Sequence, residues 1–559
     1  MILTYWQQLD SDSAWMRVVM LLLGLWLLVT LVLPLGTLLS KSFADANGTW
    51  VGLNNYASYF ATPSLTDSLW NSVWVSTVVA CITLTLAYVY AFALTRSAMP
   101  GKVAFKALAL IPIFAPSLLP AISLVYLFGN QGFLKDWLFG TPIYGPLGIV
   151  IAQVFYCFPH ALMILVVALS MADARHYEAA RVLGASPFRT FTTVTLPGSK
   201  YGLISAGFVV FTLAITDFGI PKVIGGQFNV LATDIFKQVI GQQNFSMGAV
   251  VGFALLLPAV IAFVADRWVQ HRQVALLSGR SVPLVPSKHT LRDIGLLIFC
   301  TLVAGAFLLI LGMAVWASFV TRWPYNLNLT WANYHFENFD SDGWNAYFNS
   351  LRMAAWTAVV GTLVVFTGAF VLEKTRGFVL IRHATQLMAM LSMAVPGLVL
   401  GLSYIFFFNA PGNPLGFIYG TMAILVLNSV AHFYTVSHIT ATTALKQLDS
   451  EFESVSASLK ISIGRMFKRV TVPVCLPAIL DISIYFFVNA MTTVSAVIFL
   501  YGSNTKLAAV SIVQMDEAGS TAAAAAMAVV IVATSVAVKV VHSLLTYQLR
   551  KKTQAWRLR

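Results

Sequence analysis

Runs of roughly 20 mostly apolar residues recur from one end of this chain to the other, each long enough to cross a bilayer as a helix. Hydrocarbon offers no partner to a backbone N–H or C=O, so a continuous apolar run of that length must close its hydrogen bonds internally, as a helix does. We place such helices near 17–39, 69–95, 106–128, 147–170, 202–224, 246–266, 293–317, 346–372, 384–408, 416–443, 478–501 and 519–547. The expected fold is all-α and polytopic, with about twelve transmembrane helices. Composition agrees: 58% of the 559 residues are hydrophobic, 10% are charged, and the mean hydropathy is +0.80. A soluble domain is nearer half apolar and a quarter charged.

The formal charge of +13 could suggest nucleic acid, but its placement points elsewhere. Lys and Arg concentrate in alternate loops, around Arg96–Lys106, Arg175–Lys200, Arg267–Arg292, Lys374–Arg382 and Lys446–Arg469, and in the tail from Arg550 to Arg559. That is the positive-inside pattern, which puts these loops and both termini in the cytoplasm and leaves no role for a nucleic acid. Asp10 and Asp12 precede the first run where a secretory signal would be basic, and the run Val18 to Leu39 is long for a cleaved one. We therefore expect a retained anchor. Cys81, Cys157, Cys300 and Cys475 lie in or beside apolar segments without C-x-x-C spacing, so we expect buried thiols and no metal site.

The chain also repeats itself. Asn71-Ser72 has a counterpart in Asn349-Ser350, 278 residues on (349 minus 71), and each pair follows an aromatic loop containing Asn-Tyr. Leu196-Pro197 matches Val472-Pro473 at an offset of 276 (473 minus 197). Two anchors with nearly one period predict two six-helix halves in parallel orientation, residues 1–265 and 293–559, joined by a polar cytoplasmic linker at 266–292.

Between the fourth and fifth helices lies a polar loop at 171–200, far longer than a simple connection needs. Asp173 suits the N-cap of a short helix, Gly184 its left-handed end, and Ser186-Pro187 the start of a second helix. The spacing predicts a helix–turn–helix on the cytoplasmic face, with Ala179 and Ala180 permitting close approach by another protein. The order Glu178-Ala179-Ala180, then Gly184, then Val194, Leu196 and Pro197 resembles the signature loop of bacterial ABC importer permeases, with Val for the usual Ile. The resemblance implies two fused permease halves. It also implies that the loop docks into a cleft of a separate ATPase, that an extracytoplasmic solute-binding protein delivers the solute, and that two ATPase copies serve one chain set in membrane lipid. ATP and magnesium would then be used by the partner, with no cofactor held here. The second loop, 446–475, departs from the pattern. Glu453 stands one place early, Ser454, Val455 and Ser456 replace Glu-Ala-Ala, Lys460 replaces the glycine, and Val472-Pro473 remain. Lysine is a poor left-handed residue, so we expect a second docking helix of altered geometry.

No G-x-x-x-x-G-K-[ST] run is present to cradle phosphates, and Leu277–Arg280, reading LSGR, sits in the linker without an ATPase domain around it. No acid–base pair, nucleophile or metal cluster suggests catalysis. Polar groups inside apolar runs are costly and so are pathway candidates: Asp217 in the fifth helix, whose repeat mate is Thr493, His160 in the fourth, Asn428 and His432 in the tenth, and Asn489 and Thr492 in the eleventh. Pro112, Pro116 and Pro120, and Pro396-Gly397, should interrupt the third and ninth helices. Fused permeases with this loop resemble importers of ferric iron, thiamine or 2-aminoethylphosphonate, with polyamine and sulfate importers related. The eroded second loop is most similar to the 2-aminoethylphosphonate group, which makes that solute the expectation and ferric iron the alternative. An ion-coupled secondary transporter is the competing class, but it would want more membrane carboxylates than Asp217 and has no use for the docking loop.

Overall fold

The computed structural model describes residues 11–274, 284–375, 378–449, 451–459 and 461–553. Leu277–Arg280, Lys460 and the end of the basic tail lie outside the described residues. Among the described residues, eight helices are long and apolar enough to cross a membrane, and four bent pairs bring the number to twelve if each pair is one span. Two bends fall where proline predicts them. Lys102–Phe114 and Leu118–Phe128 meet at 102°, and Val379–Ala394 and Gly397–Phe408 at 117°. A proline ring removes one backbone donor and collides with the carbonyl four residues back, so the helix restarts in a new direction.

Three expectations need correction. The fifth helix does not run 202–224. Its span begins at Pro187 and stops at Thr216. Asp217 then turns extended, with φ −71° and ψ 131°. The eleventh stops in the same way at Thr492, with Thr493 at φ −71° and ψ 134°. Apolar content continues past both points, so hydropathy could not find the break. The helix Phe245–Val274 runs well into the expected linker. It does so because Asp266 is buried and satisfied, accepting from Ser205 at 2.5 Å and from Gln270 at 2.7 Å. Finally, Cys81 is exposed, whereas Cys157, Cys300 and Cys475 are buried free thiols.

The repeat reappears as paired hydrogen bonds. Ser72 Oγ accepts from the Leu231 amide at 2.8 Å, and Ser350 Oγ from the Ala508 amide at 2.8 Å. Asn71 Nδ2 donates to the Asn229 carbonyl, and Asn349 Nδ2 to those of Asn504 and Lys506. Each Asn-Ser pair thus holds the start of a short helix that follows the break in the fifth or eleventh span. The Asn-Tyr loops match as well. Asn55 donates to the carbonyls of Ser42 and Ala44 while Tyr56 meets Ser42 Oγ. Asn333 donates to those of Ser318 and Val320 while Tyr334 meets Ser318 Oγ.

The described chain packs as two compact units that interleave the sequence halves. One comprises residues 42–341 and 512–529, the other 1–41, 342–511 and 530–559. In the first, the long helix Thr290–Phe319 packs among helices of the opening repeat, and the Phe307 ring lies 5.0 Å from both Phe155 and Phe158. A small hairpin, Val320–Arg322 with Asn326–Leu329, follows it. In the other unit the opening helix packs on Val379–Leu391 and Trp344–Lys374, with Trp26 5.7 Å from the Tyr434 ring. Small residues permit the close approaches: a Cβ on Gly368 would stand 2.8 Å from Leu23, and one on Gly24 3.0 Å from Thr385. The leading helix of each repeat is thus housed with the other repeat's helices.

Candidate functional site

The loop at 171–200 forms the expected helix–turn–helix. Asp173 caps the helix Ala174–Val182 by accepting from the Arg175 amide at 3.1 Å, and it also pairs with the Arg175 guanidinium at 2.7 Å. That carboxylate raises the Arg175 pKa above its ordinary value. The helix ends with Gly184 at φ +70°, where the Gly184 amide bonds to the Arg181 carbonyl at 3.0 Å and the Ala185 amide to the Ala180 carbonyl at 2.9 Å. This is a Schellman closure with glycine at its left-handed position. Ser186 then caps the next helical turn through the Arg189 amide at 3.2 Å.

Glu178 and Ala179 are exposed, Ala180 is buried, and of the downstream pair Leu196 is half-buried and Pro197 exposed. Sequence reasoning missed the apolar tip of the turn. Val182 is 87% exposed, Leu183 84% and Phe188 77%. Three large apolar side chains in an otherwise polar loop were the available signal. Exposed apolar patches of this kind mark a surface that another protein covers. Behind the tip, the helix is tied to the membrane spans. Tyr177 Oη donates to Thr195 Oγ1 at 3.1 Å, and the Arg96 guanidinium lies over the Tyr177 ring at 5.0 Å while donating to the Leu169 carbonyl at 2.5 Å.

The second loop shares the helix and one closing bond of the first, while Lys460, at the position of Gly184, lies outside the described residues. Glu451–Ser458 is helical, and the Ile461 amide bonds to the Ser456 carbonyl at 2.9 Å, the counterpart 276 residues on (461 minus 185) of the closing bond at Ala185. Ser456 is buried and its hydroxyl turns to the Ile461 carbonyl; Ser454 and Pro473 are exposed, and Glu453 lies in the helix with its side chain outside the described residues. Val455 and Leu459, 55% and 64% exposed, give this turn an apolar tip too.

The polar residues of the spans divide in two. Asn428 is fully buried and donates to the Ala496 carbonyl at 2.6 Å, so it acts as glue between segments. Asp217, His160, His432, Asn489 and Thr492 are half-buried. Asp217 accepts from the Ile220 amide at 3.0 Å in the first turn of the short helix Gly219–Ile224, with the Ser117 and Gln153 side chains beside it. His160 lies one turn beyond Tyr156, ring to ring at 6.0 Å, in the helix that carries Gln153. In the other unit, the His432 ring lies tilted 4.6 Å from that of Phe433, and Phe433 meets Tyr485 at 6.2 Å, one turn from Asn489 and two from Thr492. Asn489 and Thr492 bond to carbonyls of their own helix. The sequence reading missed Tyr485, Gln153 and Ser117, whose relevance depends on neighbours far away in the chain.

The family described as "Binding-protein-dependent transport system inner membrane component" matches residues 11–275. FbpB 1 of Haemophilus influenzae, assigned by name to ferric transport as a permease, is 31% identical over 439 residues, covering 75% of this chain and 68% of that protein. The chain belongs to this permease family. A second relative from the same organism, the Fe(3+)-transport system permease protein FbpB 2, is 22% identical over 518 residues, covering 93% of this permease and 96% of its own length. Among solved structures, a bacterial ABC transporter that imports alginate matches at a TM-score of 0.38 and 15% identity, covering 45% of this permease and 93% of that chain. The permease is therefore a multi-pass protein of the bacterial inner membrane and a transporter subunit. Permeases of this class pair with an ATPase and a solute-binding protein.

Proposed function

We propose that this permease forms the whole translocation pathway of an ATP-driven importer and docks two copies of a separate cytoplasmic ATPase, one on the 171–200 loop and one on the 446–475 loop. The exposed apolar tip at Val182, Leu183 and Phe188 carries the reading, because nothing else in the polar loop accounts for three uncovered large side chains. A fused chain supplies both turns, hence one chain to two ATPases, with both termini on the ATPase side. Motion passes inward through Tyr177, Thr195 and Arg96. The test is co-purification with the ATPase: Leu183→Glu and Gly184→Pro should each abolish it, and binding that survives both changes overturns docking through this loop.

For the solute we adopt ferric iron handed over by an extracytoplasmic binding protein, because the relatives above carry ferric names. The second reading, 2-aminoethylphosphonate, rests on the likeness of the 446–475 loop, with Ser454-Val455-Ser456 in place of Glu-Ala-Ala. Uptake by cells expressing the permease with its ATPase and binding protein separates them. Saturable iron uptake that Gly184→Pro abolishes supports the first reading, and saturable phosphonate uptake without iron uptake replaces it.

A further inference from the structure

Beside the first docking helix the structure holds a cavity of about 320 Å³ whose lining includes Arg96, Lys102, Lys106, Leu94, Val103 and Val166. Its cations are poorly compensated. Arg96 is 6% exposed and its Nε, buried with it, has no hydrogen-bond partner. Its remaining contacts are the Leu169 carbonyl and the Tyr177 ring face, neither of which carries a full charge. Lys102 Nζ rests on the Ser97 carbonyl, and Lys106 is exposed at the rim. The carboxylate near Lys102 is Asp293, which Arg292 already holds at 2.9 Å, so that pair adds no net charge. Among the described residues, no acidic one lines the cavity itself. A buried guanidinium is costly unless an anion or a full set of acceptors meets it, and this one keeps a donor free beside two ammonium groups.

We propose that this cavity binds the phosphate of an anionic phospholipid. Arg96 supplies the directed donor, because guanidinium forks suit phosphate oxygens, while Lys102 and Lys106 supply point charge. The other walls decide the source of the phosphate. Leu94, Val103 and Val166 are apolar and suit the glycerol and first methylenes of a lipid, whereas a free phosphate ion would leave them against water. Basic pockets between membrane helices on the cytoplasmic side favour such headgroups. The site is independent of which solute the permease carries. Since the Arg96 guanidinium also lies on Tyr177, a bound headgroup would brace the docking helix from behind.

The experiment titrates the purified full-length permease with short-chain phosphatidylglycerol, short-chain phosphatidylcholine and inorganic phosphate, reading bound ligand by native mass spectrometry. Phosphatidylglycerol should bind about tenfold more tightly than phosphatidylcholine, and Lys106→Gln should weaken it about fivefold while leaving phosphatidylcholine unchanged. Lys106 is exposed and outside the packed interior, so this variant folds even if Arg96→Gln does not. Equal binding of the two lipids, or indifference to Lys106→Gln, overturns the proposal. Inorganic phosphate displacing phosphatidylglycerol at matching concentration also overturns it, reassigning the cavity to a soluble anion.

Discussion

At Gly184 the absence of one carbon sets the shape of the turn in the 171–200 loop. A Cβ there would meet nothing within 4 Å, so space is not the objection; the backbone at φ +70° is. A β-branched residue in that region costs about 1–2 kcal/mol, while asparagine tolerates it. Gly184→Val should therefore weaken ATPase binding about tenfold and speed hydrogen exchange of the Ala185 amide, whereas Gly184→Asn should stay within about twofold. Asp217 shows the opposite relation between sequence and structure. Its rarity in an apolar run made it a pathway candidate, and in the structure it is half-buried and accepts from the Ile220 amide in the first turn of the helix Gly219–Ile224. Asparagine can accept the same bond, and alanine loses about 1 kcal/mol. Asp217→Ala should thus lower the melting temperature measurably and Asp217→Asn should not. A loss of uptake in Asp217→Asn without loss of stability would show that the charge matters beyond that bond.

Among elements, the two Asn-Ser pairs are the clearest case of a repeat preserved for a physical reason. Each serine hydroxyl takes the first amide of a short helix that would otherwise begin with an unpaired donor in a buried setting. Ser72→Ala and Ser350→Ala should each cost about 1–2 kcal/mol locally, seen as faster exchange at Leu231 and Ala508 respectively. A difference of more than a few-fold between the two sites would mean the repeats are not held alike. The docking turns carry a related lesson. Loss of Glu-Ala-Ala and of the glycine suggested a differently built second turn, yet the Ile461-to-Ser456 bond reproduces the Ala185-to-Ala180 bond. A backbone bond depends on chain geometry rather than side-chain identity, so this one forms without the Glu-Ala-Ala side chains.

For the molecule as a whole, the compact units do not follow the sequence halves. Residues 1–41 belong with 342–511, and Thr290–Phe319 belongs with the opening repeat. Gly368 marks the first exchange, since its missing side chain makes room for Leu23 at 2.8 Å from where a Cβ would lie. Gly368→Leu should overpack that contact by about 1–3 kcal/mol and lower the melting temperature by several degrees. Gly305→Leu, on a helix face with nothing within 4 Å, is the matched control and should change little. Equal loss in both variants would show helix-general effects and no special seat for the first helix.

Apolar runs were enough to determine the all-helical membrane class, because hydrocarbon solvation acts on each segment separately. Asp173, Gly184 and Ser186 likewise declared the helix–turn–helix at 171–200, since caps and left-handed residues act within a few positions of their own backbone. Only tertiary structure decided where the fifth and eleventh spans break, which polar groups are glue and which remain accessible, and which helices share a unit. Those outcomes depend on contacts such as Gly219 against Ser117 or Gly368 against Leu23, between residues far apart in the chain, and no local pattern records them.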